Sequence, residues 1–162
     1  MEKKTYKYTD AATAVLKMQR YCAYQERSHN EVRSKLIEIG VYGDTIDQVL
    51  IELIQDNFLN EERFAKAFAR GKFNVKRWGR LRIKQELKLH KISAYCLKKA
   101  MEEISEEDYL KTLQELVRKK SELLQEEDNY KLRIKLFAYV HQKGYETPLI
   151  NVVLDDFFKK NK

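Results

Sequence analysis

The sequence predicts an all-α fold built from three tandem three-helix repeats that form an elongated, curved array. Three observations lead to this prediction. The chain has 162 residues with one proline and five glycines, far fewer turn residues than a β-sandwich or β-barrel requires. Its apolar residues recur at helical spacing. The same pattern of apolar positions also occurs three times along the chain, as expected of a repeat protein.

The repeat consists of seven apolar positions that follow Ser28. Adding 51 to each residue number gives seven further apolar positions, and adding another 53 gives seven more. The equivalent sets are Val32, Leu36, Val41, Ile46, Val49, Leu50 and Leu53; Ile83, Leu87, Ile92, Leu97, Ala100, Met101 and Ile104; and Leu136, Val140, Tyr145, Ile150, Val153, Leu154 and Phe157. Units of about 50 residues bury too little surface to be very stable alone, so we expect neighbouring units to stack on one another.

The repeat divides the chain into a tail and three units. We assign residues 1–9 to an N-terminal tail, 10–57 to the first unit, 58–104 to the second and 105–162 to the third. Each unit should begin with a leading helix, over about Asp10–Arg27, Asn60–Lys76 and Ser105–Gln125. In the second and third units, acidic residues follow the first residue of this helix, where the helix dipole favours them.

Capping residues predict where the other helices start. Ser28 followed by Glu31 is a capping box at the start of a second helix. The third helices should begin at residues whose side-chain oxygens can accept the free backbone N–H groups of a first turn. These residues are Asp44, Ser93 and Thr147, the last followed by Pro148 at the first helical position.

The ends of the second helices are also predicted. Gly40 and Gly144 stand at equivalent positions where a left-handed residue stops a helix. Lys91 occupies that position in the second unit, which predicts a weaker stop. The residue before it, His90, replaces the core residue Ile39 of the first unit, and we interpret it as a packed or capping histidine.

The positive charge is concentrated in one window of the chain. Residues 66–91 contain ten lysines and arginines and one acidic residue, Glu86, whereas the whole chain carries +7. The remainder of the chain is therefore net negative. Such a local basic patch is typical of a nucleic-acid-binding or polyanion-binding protein, and the alternative is a solvated helix face.

Within this window, the second helix of the second unit carries a predicted basic stripe. At about 100° per residue, its four cations fall within an arc of about 80° beside the core face. Leu81 and Leu89 lie off that core face, either exposed to a partner or packed against a neighbouring unit. Trp78 precedes the helix, and we favour a staple at the helix start over a base-stacking role. The candidate partner- or DNA-binding residues are Lys76, Arg77, Arg80, Leu81, Arg82, Lys84, Lys88, Leu89 and Lys91, of which Arg80, Lys84, Lys88 and Lys91 form the stripe.

The sequence favours a binding protein over an enzyme. It contains no nucleophile elbow, zinc-protease, phosphate-loop or dinucleotide-binding motif, and its three histidines have no metal-ligand spacing. We therefore expect no catalytic residues, no cofactor and no metal. Cys22 and Cys96 form no CxxC pair and are interpreted as reduced, buried thiols. With neither a signal peptide nor a membrane span, the expected location is the cytoplasm.

The order and spacing of several motifs resemble a known family. Arg27-Ser28, Glu31-Val32, Lys35-Leu36 and Gly40 are followed by Ile46, Val49-Leu50 and Leu53, by the segment Phe58–Ala65, and by Gly79-Arg80, Arg82-Ile83 and Glu86-Leu87. Over about residues 12–104 these motifs resemble the bacterial regulatory protein family RecX. The third repeat agrees in length and periodicity. Lys91 departs from the family pattern, which more often has glycine before Ile92.

The resemblance implies a non-enzymatic modulator of the recombinase RecA. Family members are all-helical, crescent-shaped proteins of three repeats. They lie in the groove of the RecA filament on single-stranded DNA, and they hinder filament extension, ATP hydrolysis and strand exchange. The implied partners are the RecA filament and single-stranded DNA, contacted directly or through the filament by a monomer. The alternative is a helical nucleic-acid-binding module that acts directly on DNA or RNA.

Overall fold

The computed structural model describes residues 8–161, which form nine α-helices and no β-strand. The predicted all-α class is confirmed. The predicted tail, residues 1–9, lies outside the described residues except for its last two. The helices are α1 (Ala11–Tyr24), α2 (His29–Glu38), α3 (Asp44–Gln55), α4 (Glu61–Asn74), α5 (Arg80–Leu89), α6 (Ala94–Met101), α7 (Glu106–Leu124), α8 (Asn129–Gln142) and α9 (Thr147–Lys160).

The nine helices pack as three consecutive units. Helices α1–α3 contact one another and form unit 1, α4–α6 form unit 2, and α7–α9 form unit 3. Hydrogen bonds and ion pairs connect unit 1 with unit 2 and unit 2 with unit 3. Within residues 8–161 none connects unit 1 with unit 3. The units therefore follow one another in a linear tandem array.

The predicted helix caps are confirmed at Ser28 and Ser93. The Ser28 hydroxyl accepts the N–H of Glu31 at 3.0 Å, and the Ser93 hydroxyl caps α6 in the same way. The predicted caps Asp44 and Thr147 are wrong by one position. Both are the first helical residues, because the backbone turns into α3 and α9 one residue earlier, at Gly43 and Glu146.

All three second helices end in the same kind of turn. Gly40 and Gly144 adopt φ values of 91° and 101°, and Lys91 adopts 58° at the equivalent position. In each case the following residue donates its N–H to the carbonyl five residues earlier, as Ile92 does to Leu87 at 3.3 Å. Lys91 thus completes the turn despite a side chain that disfavours the left-handed conformation.

The predicted core positions lie in the interior. Seventeen of the 21 repeat positions are buried, and the other four are half-buried and pack against the core. The four are Ile92, Leu97, Met101 and Phe157. Unit 1 encloses a hydrophobic core of its own, whereas the buried residues of units 2 and 3 form one continuous core. The described part of the array therefore has two hydrophobic cores, although it has three repeats.

Both cysteines are buried and free, as predicted. Burial raises the pKa of the Cys22 thiol to about 11. The thiol is thus protonated at neutral pH, which suits a core residue and not a nucleophile. In the described part of the chain, no helix is long and apolar enough to cross a membrane.

Truncation of the core leucines should destabilise the protein. Leu36, Leu50 and Leu87 occupy repeat positions and are almost fully buried, so replacing each with alanine should cost about 2–5 kcal/mol. The measurement is chemical denaturation of each variant. Leu16→Ala, at an exposed position of α1, is the control and should cost much less. Three unchanged unfolding midpoints would mean that the repeat register is wrong.

Replacing Lys91 with glycine should stabilise the protein. The left-handed conformation costs a residue with a side chain about 1–2 kcal/mol, and glycine removes this cost. Glycine also has a higher entropy in the unfolded chain, which offsets part of the stabilisation. We expect a net increase of about 0.5–1 kcal/mol in the free energy of unfolding. Lys88→Gly, inside α5, is the matched control and should lose about 1 kcal/mol. Equal losses in both variants would contradict the strain at Lys91.

Candidate partner-binding surface on unit 2

Arg80 does not lie on a free basic stripe, contrary to the prediction. Its guanidinium pairs with Glu106 at 2.5 Å and with Glu146 at 3.2 Å, and it lies 3.9 Å above the ring of Tyr109. Only 17% of the side chain is exposed. These partners belong to unit 3, so Arg80 joins two units and its charge is already neutralised.

Buried polar groups surround this ion pair. The Tyr109 hydroxyl donates to Glu146 and accepts the backbone N–H of Arg80. Burial and the bond to Glu146 raise the pKa of Tyr109. Burial acts to lower the pKa of Arg80, but the carboxylates of Glu106 and Glu146 outweigh it and the pKa is raised overall. Both side chains therefore keep the protonated form that holds units 2 and 3 together.

Lys91 also lies off the predicted stripe. Because α5 ends at Leu89, the helical angle cannot be extended to residue 91. Lys91 instead lines a cleft between units 1 and 2 with His29, Asn30, Arg33 and His90 among its neighbours. The stripe on α5 is therefore reduced to two residues, Lys84 and Lys88, which we call the lysine pair.

The lysine pair is accompanied by the two predicted leucines. Leu81 is 48% exposed and Leu89 is 68% exposed, so the alternative that both pack against a neighbouring unit is wrong for this chain. On the helical wheel, Lys88 lies about 20° from Leu81. No carboxylate of residues 8–161 lies within 4 Å of either lysine. Leu81 and the uncompensated charge of Lys88 thus share one face of α5, whereas Leu89 lies about 100° from Lys88.

The remaining predicted cations lie in the loop before α5 or on another face of that helix. Lys76 and Arg77 are exposed in the loop after α4, and the Arg77 carbonyl accepts the Tyr145 hydroxyl at 3.1 Å. The Arg82 guanidinium lies 4.0 Å from the centre of the Trp78 ring. Arg82 projects about 120° away from Lys88. The structure therefore divides the predicted surface into two cationic regions, separated by the exposed leucines.

The region around Trp78 includes residues that the sequence analysis missed. The Lys72 ammonium lies 4.8 Å from the Trp78 ring centre. Across the junction with unit 3, Lys120 and Lys143 lie 4.7 and 5.4 Å from the ring centre of Tyr139. The Trp78 cluster, as we call this group, comprises Lys72, Trp78, Arg82, Lys120, Tyr139 and Lys143. Its members from unit 3 are at least 38 residues away in sequence, and only the tandem order of the units could have suggested them.

Charge within the Trp78 cluster is uncompensated. None of its four cations has a carboxylate oxygen within 4 Å in the part of the chain that the structure describes. Burial, and then the charge of Arg82, lowers the pKa of Lys143. Trp78 also packs against the shared core, in agreement with a staple at the start of α5. Cations without partners beside aromatic rings are a typical surface for a polyanion.

The arrangement offers charged and apolar groups that can bind a partner. Within residues 8–161 no group of three histidine, cysteine or acidic side chains is placed to hold a metal ion. Three of the ten cations in the basic window have carboxylate partners: Lys66, Arg70 and Arg80. The other seven have none among the described residues. They are Lys72, Lys76, Arg77, Arg82, Lys84, Lys88 and Lys91.

Comparison with known proteins identifies the three units. Family models of RecX match in order: the first three-helix domain over residues 14–53, the second over 60–101 and the third over 106–154. The Regulatory protein RecX of Clostridium perfringens strain 13 is 32% identical over 130 residues, which are 79% of this chain and 60% of the relative. That of Bacillus cereus strain B4264 is 26% identical over 136 residues, or 84% and 50%. The chain thus spans 50 to 60% of the length of these two relatives.

A solved structure supports the same fold. The crystal structure of RecX from Lactobacillus salivarius superposes with a TM-score of 0.81 at 19% identity, and the match covers 90% of this chain and 95% of that chain. Because the first, second and third RecX domain models occur in order and together match most of the sequence, the chain belongs to the RecX family.

Proposed function

We propose that this protein regulates the recombinase RecA by binding in the groove of the RecA filament on single-stranded DNA. Bound there, it limits filament extension, ATP hydrolysis and strand exchange. Membership of the RecX family is the observation that carries this proposal. The protein acts as a binding partner and not as an enzyme, and it works as a monomer in the cytoplasm.

The shape and charge of the chain suit such a partner. A linear array can follow a long helical groove over several subunits. A filament that contains DNA is polyanionic. It therefore attracts, over a long range, the cations of unit 2 that have no carboxylate partner among the described residues. The exposed leucines of α5 then supply apolar contact once the groove is entered.

We assign the first contact to the lysine pair and the apolar contact to Leu81 and Leu89. Lys84 and Lys88 have no carboxylate partner among the described residues, so their charge is available to a ligand. Arg80 is excluded from this role because Glu106 and Glu146 neutralise it.

Reversing the lysine pair should weaken inhibition of RecA. Lys84→Glu combined with Lys88→Glu should raise the concentration needed for half-inhibition of the DNA-dependent ATPase by about tenfold at low salt. The effect should shrink at high salt, where screening already weakens wild-type attraction. Lys17→Glu with Arg20→Glu, on the exposed side of α1, is the matched control of equal charge change. Wild-type inhibition by the Lys84 and Lys88 variant would place the contact elsewhere.

Replacing the two leucines should weaken inhibition in a different way. Leu81→Ser with Leu89→Ser removes apolar contact without changing charge, so its effect should be similar at low and high salt. Both positions are exposed, and the melting temperature should therefore stay close to that of the wild type. A loss that disappears at high salt would mean that the leucines act only through the neighbouring lysines.

A second candidate function is direct binding of single-stranded nucleic acid. The Trp78 cluster favours direct binding, because its cations can neutralise phosphates and its aromatic rings can stack on bases. The two proposals differ in their requirement for RecA. Direct binding should persist without the recombinase, whereas regulation through the filament requires it.

Trp78 provides a direct test of this second candidate because it is the single tryptophan of the chain. If nucleic acid binds at the cluster, an oligothymidylate should change the Trp78 emission saturably without RecA, and added salt should weaken the affinity steeply. Arg82→Gln should weaken binding, and Lys17→Gln should not. Constant emission, together with constant anisotropy of a labelled oligothymidylate, would exclude the second candidate.

A further inference from the structure

The two junctions between units use the same part of the repeat. The N-terminal end of one second helix faces the C-terminal end of the next one. Between units 2 and 3, the Gly79 N–H donates to the Lys143 carbonyl at 2.8 Å, and the Leu81 N–H donates to the Gly144 carbonyl at 3.0 Å. This junction is therefore closed by direct backbone hydrogen bonds.

Glycine makes that close approach possible. A Cβ atom on Gly79 would lie 2.3 Å from the carbonyl carbon and oxygen of Gly144, and a Cβ atom on Gly144 would lie 2.5 Å from that of Arg82. Contacts this short do not occur between real atoms. A side chain at residue 79 would therefore force units 2 and 3 apart.

The junction between units 1 and 2 carries side chains at the equivalent positions. Ser28 stands where unit 2 has Gly79, and Lys91 stands where unit 3 has Gly144. No donor of the described residues reaches the carbonyl oxygen of His90 or Lys91. Instead, the ring Nδ1 of His90 lies 3.1 Å from the Ser28 hydroxyl and 3.3 Å from a Glu31 oxygen. Side-chain contacts have replaced the backbone bonds.

The junction between units 1 and 2 also contains open space. Two clefts lie against α2 and share His90 as a lining residue: one of about 400 Å³ between α2 and α5, and one of about 170 Å³ between α2 and the turn after α5. The hydrophobic cores agree with this difference, because the core is continuous across the closed junction and interrupted at the open one. The remaining connection across the open junction is polar, chiefly the pair of Arg63 with Glu26.

The free end of α2 shows that these carbonyls normally receive a donor. There the Thr9 N–H donates to the Gly40 carbonyl at 3.3 Å, and the Thr9 hydroxyl donates to the Ile39 carbonyl. Ile39 and Gly40 are equivalent to Lys143 and Gly144. Of the three equivalent helix ends, only the end of α5 receives no such donor from residues 8–161.

We infer that the junction between units 1 and 2 is a built-in hinge, about which unit 1 turns as one body against units 2 and 3 as a second body. The side chain of Ser28 keeps the two helix ends from closing, and the contacts of His90 with Ser28 and Glu31 form a weak latch. Polar, partly exposed contacts of this kind contribute little rigidity compared with a continuous core. This inference rests on the fold and does not depend on the partner.

Distances between spin labels test the hinge in the full chain. In a background with both cysteines replaced by alanine, labels are placed at exposed positions of units 1, 2 and 3: Ile51→Cys, Tyr95→Cys and Val152→Cys. Sharing the label at residue 95 makes the two pairs comparable. We expect a broader distance distribution for the pair 51 and 95 than for the pair 95 and 152. Equal widths would overturn the inference.

A residue exchange tests the physical cause. Gly79→Ser gives the closed junction the residue that unit 1 has at the equivalent position. The distribution for labels 95 and 152 should then broaden towards that of labels 51 and 95. An unchanged narrow distribution in a folded Gly79→Ser protein would overturn the role of glycine. If thermal denaturation shows that this variant does not fold, the comparison of the two label pairs in the cysteine-free background decides the hinge by itself.

Discussion

The backbone contact between Gly79 and Gly144 is the constraint on which the organisation of units 2 and 3 depends. It brings the N-terminal end of α5 within hydrogen-bonding distance of the C-terminal end of α8. At this distance the Arg80 guanidinium reaches Glu106 and Glu146. The Tyr109 hydroxyl accepts the Arg80 N–H and donates to Glu146. The continuous core of the two units follows from the same approach.

The same contact determines which charges remain for a partner. The charge of Arg80 is paired with Glu106 and Glu146 at the junction. The loop before Arg80 and the helix after it carry cations without carboxylate partners among the described residues. Arg82 lies against Gly144, the residue after Lys143, and its charge adds to burial in lowering the pKa of Lys143. The chain thus gains a concentrated positive surface from the way in which two of its repeats are joined.

Repetition of one unit does not produce repetition of one junction. Ser28 and Gly79 occupy equivalent positions and both precede a second helix of ten residues. The Ser28 hydroxyl caps α2. Gly79 has no side chain to cap α5, but it allows unit 3 to approach closely. The difference of one side chain therefore separates a helix start that is stable by itself from one that serves as an interface.

The sequence by itself determined the all-α class, the three repeats, most core positions and several helix caps. These features depend on neighbours within one or two helical turns, so spacing along the chain is sufficient to predict them. The tertiary structure alone decided the state of each cation. Arg80 meets Glu146, 66 residues away, and Arg82 lies near Lys143 of unit 3. Lys91 left the predicted stripe because a left-handed turn ends α5 before it. Helical periodicity describes directions around one helix, but whether a charge is paired or free depends on which distant helix packs beside it.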